Sequence, residues 1–224
     1  MLRAGGAALA GGALAFMGVF AYLAANFHYP EVLDGPAATV LPALLATGTT
    51  GRMVWVLYAL LPLIWLPAGV AAYEALAPAA RGVMRLALLC AAMAALTMML
   101  GLMRWPSIHW HLALAWGAAG PGEQAVLAAL FDGLNVYLGN YLGEFLGELS
   151  FSCFFALTAV AWLRSPGAAR WVGVLGLVTG AAGLVGMLRN VTPAVAAVAA
   201  VNNYLLPLFM IVLGVGLMRW PERE

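Results

Sequence analysis

Six apolar runs, each close to the length that crosses a bilayer, dominate this chain: residues 4–25, 53–76, 82–103, 137–163, 171–188 and 198–218. A spanning helix needs about 20 apolar residues. Apolar residues make up 65% of the sequence and charged residues 8%. Soluble domains are roughly half apolar and about a quarter charged. So few charges cannot cover the surface of a water-soluble globule, which excludes a soluble enzyme, a disordered chain and a coiled coil. The expected fold is all-α, one polytopic transmembrane domain over residues 1–224 with six membrane helices. The formal net charge is +1, there is no lysine, and the arginines form no basic face, so nucleic-acid binding has no electrostatic support.

Arginine resists translocation, so its placement predicts orientation. With the N-terminus in the cytoplasm, Arg3, Arg81, Arg85, Arg164, Arg170, Arg219 and Arg223 fall inside, and Arg52, Arg104 and Arg189 outside. Both termini are therefore expected inside. Tryptophans favour the interface. Trp55, Trp105, Trp110 and Trp116 fall at the expected outer ends, Trp162, Trp171 and Trp220 at the inner ends, and Trp65 mid-span. The run at 4–25 exceeds a signal-peptide core of about 7–15 residues, so it reads as an uncleaved first helix. Cys90 and Cys153 lie inside apolar runs and form no CxxC pair.

The inner connections are tight and the outer ones long, so a site belongs in the membrane or on the outer face. Short outer interfacial helices are expected at 36–46 and, capped by Ser107, at 107–116. The stretch 117–122 should break the chain, with Pro121 and Glu123 opening the next helix. Residues 122–164 number 43, about 64 Å if helical throughout, against a hydrocarbon core of about 30 Å. An interfacial segment at 123–134 followed by a separate span resolves the excess.

Residues 137–148 repeat a tetrad three times: Tyr-Leu-Gly-Asn, Tyr-Leu-Gly-Glu, Phe-Leu-Gly-Glu. On a helix each column forms a winding stripe. Gly139, Gly143 and Gly147 make a small-xxx-small surface, whose expected partner is the glycine-rich fifth span. Asn140, Glu144 and Glu148 make a polar stripe. Glu148 lies 16 residues from Arg164, about 24 Å up the helix, where an unpaired carboxylate costs a few kcal/mol. It must face the bundle interior. Expected partners at similar depth are Arg189, Arg104, Asn202 and Asn203.

The histidines, His28, His109 and His111, all map outside. A metal site using His109 or His111 with Asp132 or the two glutamates is a weak candidate, because residues two apart diverge on a helix. No cofactor signature is found.

Three segments together carry a resemblance: Arg104-Trp105-Pro106, Leu142-Gly143-Glu144-Phe145-Leu146-Gly147-Glu148, and the stretch from Ala169 to Val178. The chain resembles a family of six-helix bacterial membrane proteins catalogued only as a domain of unknown function. That resemblance implies a six-helix bundle in a bacterial inner membrane. It implies no reaction, substrate or catalytic residue. The expected function is non-enzymatic: an outward-facing polar pocket of Glu144, Glu148, Asn140, Arg189, Asn203 and Arg104. It would bind a small ligand, lipid headgroup or proton as a sensor or carrier. The alternatives are an accessory or scaffold subunit with a membrane-protein partner or second copy, and an embedded acid–base or metal-dependent enzyme.

Overall fold

The computed structural model describes residues 1–221; Arg223, counted among the inner arginines, lies outside the described residues. Those residues form helices and connections with no strand. The helices are α1 (Leu2–Phe27), α2 (Ala37–Ala46), α3 (Gly48–Leu60), α4 (Trp65–Met103), α5 (Trp110–Trp116), α6 (Pro121–Leu134), α7 (Gly147–Arg164), α8 (Arg170–Gly186) and α9 (Ala196–Met218). Five stretches are long and apolar enough to cross a membrane: Leu2–Phe27, Gly48–Trp116, Pro121–Arg164, Arg170–Asn190 and Pro193–Met218.

The second of these contains the expected second and third runs folded back on each other. Pro78 removes a backbone donor from α4, and Ala80 leaves helical geometry at φ −157°, ψ 59°. A Cβ on Gly69 would lie 3.0 Å from that of Ala91, a residue equally far beyond Ala80. The two arms of α4 therefore form an antiparallel hairpin. Counting them separately, the rods close a ring: first arm, second arm, α7, α8, α9, α1 and back to the first arm. Its centre is filled by Trp65, Phe151, Phe154, Phe155 and Phe209.

Size sorts the faces of these rods. On the second arm of α4, Leu86, Leu89, Met93, Leu96 and Leu100 form an exposed stripe, while Ala87, Ala91, Ala94, Ala95 and Gly101 are buried. In water such an exposed stripe would drive aggregation. In lipid it is solvated, and small buried residues let backbones approach closely.

The two long connections meet at one end of the ring and share a second core of Phe27, Leu41, Trp55, Trp105 and Phe131. Trp55 and Trp105 stack with ring centroids 4.9 Å apart and are fully buried, so packing rather than an interfacial position accounts for them. The expected helix at 36–46 is present as α2. The helix at 107–116 is present in part, without its cap. Chain 104–109 stays helical in a π turn, His109 N donating to the Arg104 carbonyl at 2.8 Å, and the Ser107 hydroxyl donates back to the Met103 carbonyl. The break before α6 matches expectation: Pro121 opens it, and the Glu123 carboxylate accepts from Gly120 N at 3.0 Å.

The expected separation near residue 135 is absent. From Pro121 to Arg164 the chain is helical throughout, with Asn135–Leu146 wound as a π-helix. Most π segments are single turns found near functional sites; this one covers nearly the whole tetrad repeat. The i→i+5 pattern keeps the backbone bonded, so no loop is required.

Candidate functional site

The π-helix delivers the polar stripe to the ends of two other rods. The α8 helix tightens into a 3-10 turn at Met187–Asn190, which turns Arg189 toward it. Arg189 Nη1 donates to Glu148 Oε2 at 2.6 Å, and Nη2 donates to Glu148 Oε1 at 2.7 Å and to Glu144 Oε2 at 3.0 Å. The guanidinium thus grips Glu148 with both prongs and shares one with Glu144. Such paired charge-assisted bonds are about twice as strong as neutral ones. Side-chain exposure grades the three: 11% for Glu148, 28% for Arg189 and 33% for Glu144. Glu144, held by one oxygen only, is the more accessible of the two carboxylates.

Arg104 makes its own set of hydrogen bonds, while its charge also acts on Glu144. It is buried, its Nε donating to Asn135 Oδ1 at 3.1 Å and its Nη1 to the Gly101 carbonyl at 2.6 Å, with the guanidinium carbon 5.0 Å from the Trp105 ring centroid. Asn135 Nδ2 donates in turn to the Leu33 carbonyl at 2.9 Å, fastening the first long connection. A Cβ at Gly139 would collide with the guanidinium, so glycine there makes room for a side chain. Asn135 is absent from the sequence-derived set because it precedes the tetrads. Its signal is a lone amide in an apolar stretch facing the end of the third run.

Of the sequence-derived set, the structure brings Glu144, Glu148 and Arg189 into hydrogen-bond contact, while Arg104 bonds Asn135 and the Gly101 carbonyl and meets Glu144 only through charge. Asn140 is half-buried and makes no hydrogen bond among the described residues. Asn203 is exposed and does not join the set; α9 turns Asn202 inward instead, with its Nδ2 3.1 Å from where a Gly183 Cβ would lie. The difference is one residue of helical phase, about 100°. The glycine stripe also meets a different partner. Gly143 packs on Gly101 and Gly147 on Met98, both from α4, while the α8 glycines pack on Ala156, Ala159 and Ser152 of α7 and on Ala199 and Phe209 of α9.

The weak metal candidates separate. His109 is fully buried between Trp105 and Phe131, whereas His111 and Asp132 are exposed. Among the described residues no group of three or more His, Cys, Asp or Glu side chains can hold a metal ion. Among the described residues neither ring nitrogen of His109 has a hydrogen-bond partner. A buried polar group left so costs about 1–3 kcal/mol. His109→Leu is therefore expected to hold or raise the thermal midpoint of the purified protein. A destabilisation beyond ~1 kcal/mol would show that the imidazole is satisfied by a bond it needs.

A family model described as "Domain of unknown function (DUF4386)" matches residues 5–220. No curated protein and no solved structure matches the chain.

Proposed function

Because the chain belongs to the DUF4386 family, whose description assigns no activity, we propose its function from its own site: a non-enzymatic multi-pass membrane protein in which Glu144, Glu148 and Arg189 form an outward-facing binding site. Six passes, with both termini inside, follow when the α4 hairpin counts as two. In that orientation Arg3, Arg81, Arg85, Arg164, Arg170 and Arg219 are exposed at the inner end, while Arg104 and Arg189 turn into the protein at the outer end. Cationic side chains are held at the cytoplasmic surface for orientation; ionisable groups kept inside a bundle serve function by default. The site takes a small ligand, a lipid headgroup or a proton, as a sensor or carrier, and a bacterial inner membrane is the setting. The observation that carries this reading is the accessible carboxylate: Glu144 shares its guanidinium and is a third exposed.

The test is side-specific chemistry. A membrane-impermeant carbodiimide with a glycine ester should label Glu144, read by peptide mass spectrometry, in right-side-out vesicles and not in inverted ones. Glu148, gripped on both oxygens, should stay unlabelled from either side. Labelling of Glu144 only in inverted vesicles, or from neither side, removes the outward-facing site. The accessory-subunit reading draws on a different observation: every carboxylate of the triad is already paired and the ring interior is filled. An unreactive Glu144 together with a stoichiometric co-purifying membrane protein is its expected signature.

A further inference from the structure

The opposite end of the bundle carries a cavity that the triad does not use. The bend of α4 at Pro78, the turn after α7 with Arg164, Ser165 and Pro166, and Trp220 and Pro221 beyond α9 enclose about 350 Å³. Small-molecule pockets run from about 300 to 1,000 Å³. The walls are fixed from within. The Trp162 indole donates to the Ala169 carbonyl at 3.0 Å, and its ring centroid lies 4.9 Å from that of Trp220, edge to face. The Ser165 hydroxyl donates to the Ala161 carbonyl at 3.0 Å and is thereby occupied. Among the described residues that line the cavity, Arg164 is charged and none is acidic. Arg164 is exposed and makes no ion pair or side-chain hydrogen bond among the described residues. Its place at the end of α7 complements the helix dipole, yet its fork of N–H donors stays unengaged. The surroundings have the same sign. Arg3, Arg81, Arg85, Arg170 and Arg219 are exposed at this end. The acidic residues there are Glu74, one helical turn before Pro78, and Glu222 and Glu224, which follow Pro221 in the sequence. Positive charge is in excess even when all three acids are counted.

We propose that this cavity binds a phosphate group, with the Arg164 guanidinium donating to two of its oxygens and Trp220 flanking the carbon skeleton attached to it. Three properties select the ligand. A guanidinium fork matches phosphate geometry with two parallel bonds. The positive surroundings favour an anion over a zwitterion or a cation. Basic pockets between membrane helices on the cytoplasmic side take phosphorylated lipid headgroups, and tryptophan is at home at that level of the membrane. The phosphate is carried by an anionic phospholipid of that leaflet or by a soluble phosphoester. The site stands apart from the triad; only its leaflet follows from the orientation proposed above.

The test is native mass spectrometry of the delipidated full chain in detergent, given equal amounts of phosphatidylglycerol and phosphatidylcholine, and in a second arm glycerol phosphate alone. The wild type should retain phosphatidylglycerol in clear excess. Arg164→Gln should lower that retention about tenfold, the size of one hydrogen bond to a charged group. Its thermal midpoint should not move, because the side chain it replaces has no partner among the described residues. Arg85→Gln removes an exposed arginine of the same end that does not line the cavity, and should leave retention nearly unchanged. Glycerol phosphate binding that depends on Arg164, without a lipid preference, supports the site and makes its source soluble. Three results overturn the proposal. One is binding of neither probe. Another is an equal loss in Arg164→Gln and Arg85→Gln, which reads a diffuse field in place of a site. The third is binding that appears only in Glu222→Gln/Glu224→Gln, which makes the chain's own carboxylates the partners of Arg164.

Discussion

Replacing Arg189 with leucine is expected to destabilise the protein by about 3–5 kcal/mol, the usual penalty for stranding one member of a buried ion pair. Glu148 is the reason. Its side chain is 11% exposed and both its oxygens are bound by this one guanidinium. Without Arg189 it must stay charged in an apolar bundle or take up a proton, and either alternative is costly. Glu144, a third exposed, can turn to water and contributes less. The size of the effect separates a charge from an ordinary polar contact. Neutral interhelical hydrogen bonds in membranes average about 0.6 kcal/mol. Arg189→Lys should recover part of the loss, because an ammonium keeps the charge without the two-pronged fit. The double variant Glu148→Leu/Arg189→Leu should recover most of it, since no buried charge remains. Reversible unfolding in mixed micelles measures all three. A loss under ~1 kcal/mol for Arg189→Leu would mean that Glu148 is solvated and the triad is a surface feature.

Gly101→Leu is expected to prevent the bundle from assembling. Even a Cβ at this position would lie 2.5 Å from the Gly143 Cα and 2.8 Å from the Leu138 carbonyl oxygen. These are backbone atoms, and no rotamer change can move them aside. Overpacking costs about 1–3 kcal/mol where side chains can yield; here α4 and the π-helix must separate. That separation also removes the Arg104 bond to the Gly101 carbonyl and draws the guanidinium away from Asn135. Gly101→Ala should show the same defect in milder form. Gly133→Ala is the contrast. It sits in α6 with nothing within 4 Å of its would-be Cβ. There alanine should stabilise by ~1 kcal/mol through helix propensity alone. Yield of monodisperse protein and its thermal midpoint read both outcomes. A stable, monodisperse Gly101→Leu would show that the two helices do not meet there.

Much of the candidate site is legible in the sequence alone. Depth along the helix puts Glu148 and Arg189 at one level, and the high cost of a bare carboxylate in lipid requires that Glu148 be paired, protonated or wetted. What was not legible depends on helical phase. Asn202 and Asn203 are adjacent, and which one faces inward turns on about 100° of rotation set by packing of α9 on α1 and α8. Gly139, Gly143 and Gly147 announce a close approach, but a small-residue stripe carries no address for its partner, and the short turn after α7 suggested the wrong one. Asn135 lay outside the repeat that drew attention to its neighbours.

The bilayer-spanning character of the chain, its helical class, its tight and long connections and the need to keep Glu148 away from lipid all follow from local sequence. Each is decided by transfer between water and hydrocarbon, which acts on one segment at a time. The π-winding of Asn135–Leu146, the inward turn of Arg104 and His109, the burial of Trp55 and Trp105, and the choice of α4 as partner for the glycine stripe were decided by the tertiary structure alone. These depend on close packing between segments far apart in sequence, where fractions of an ångström decide which faces fit.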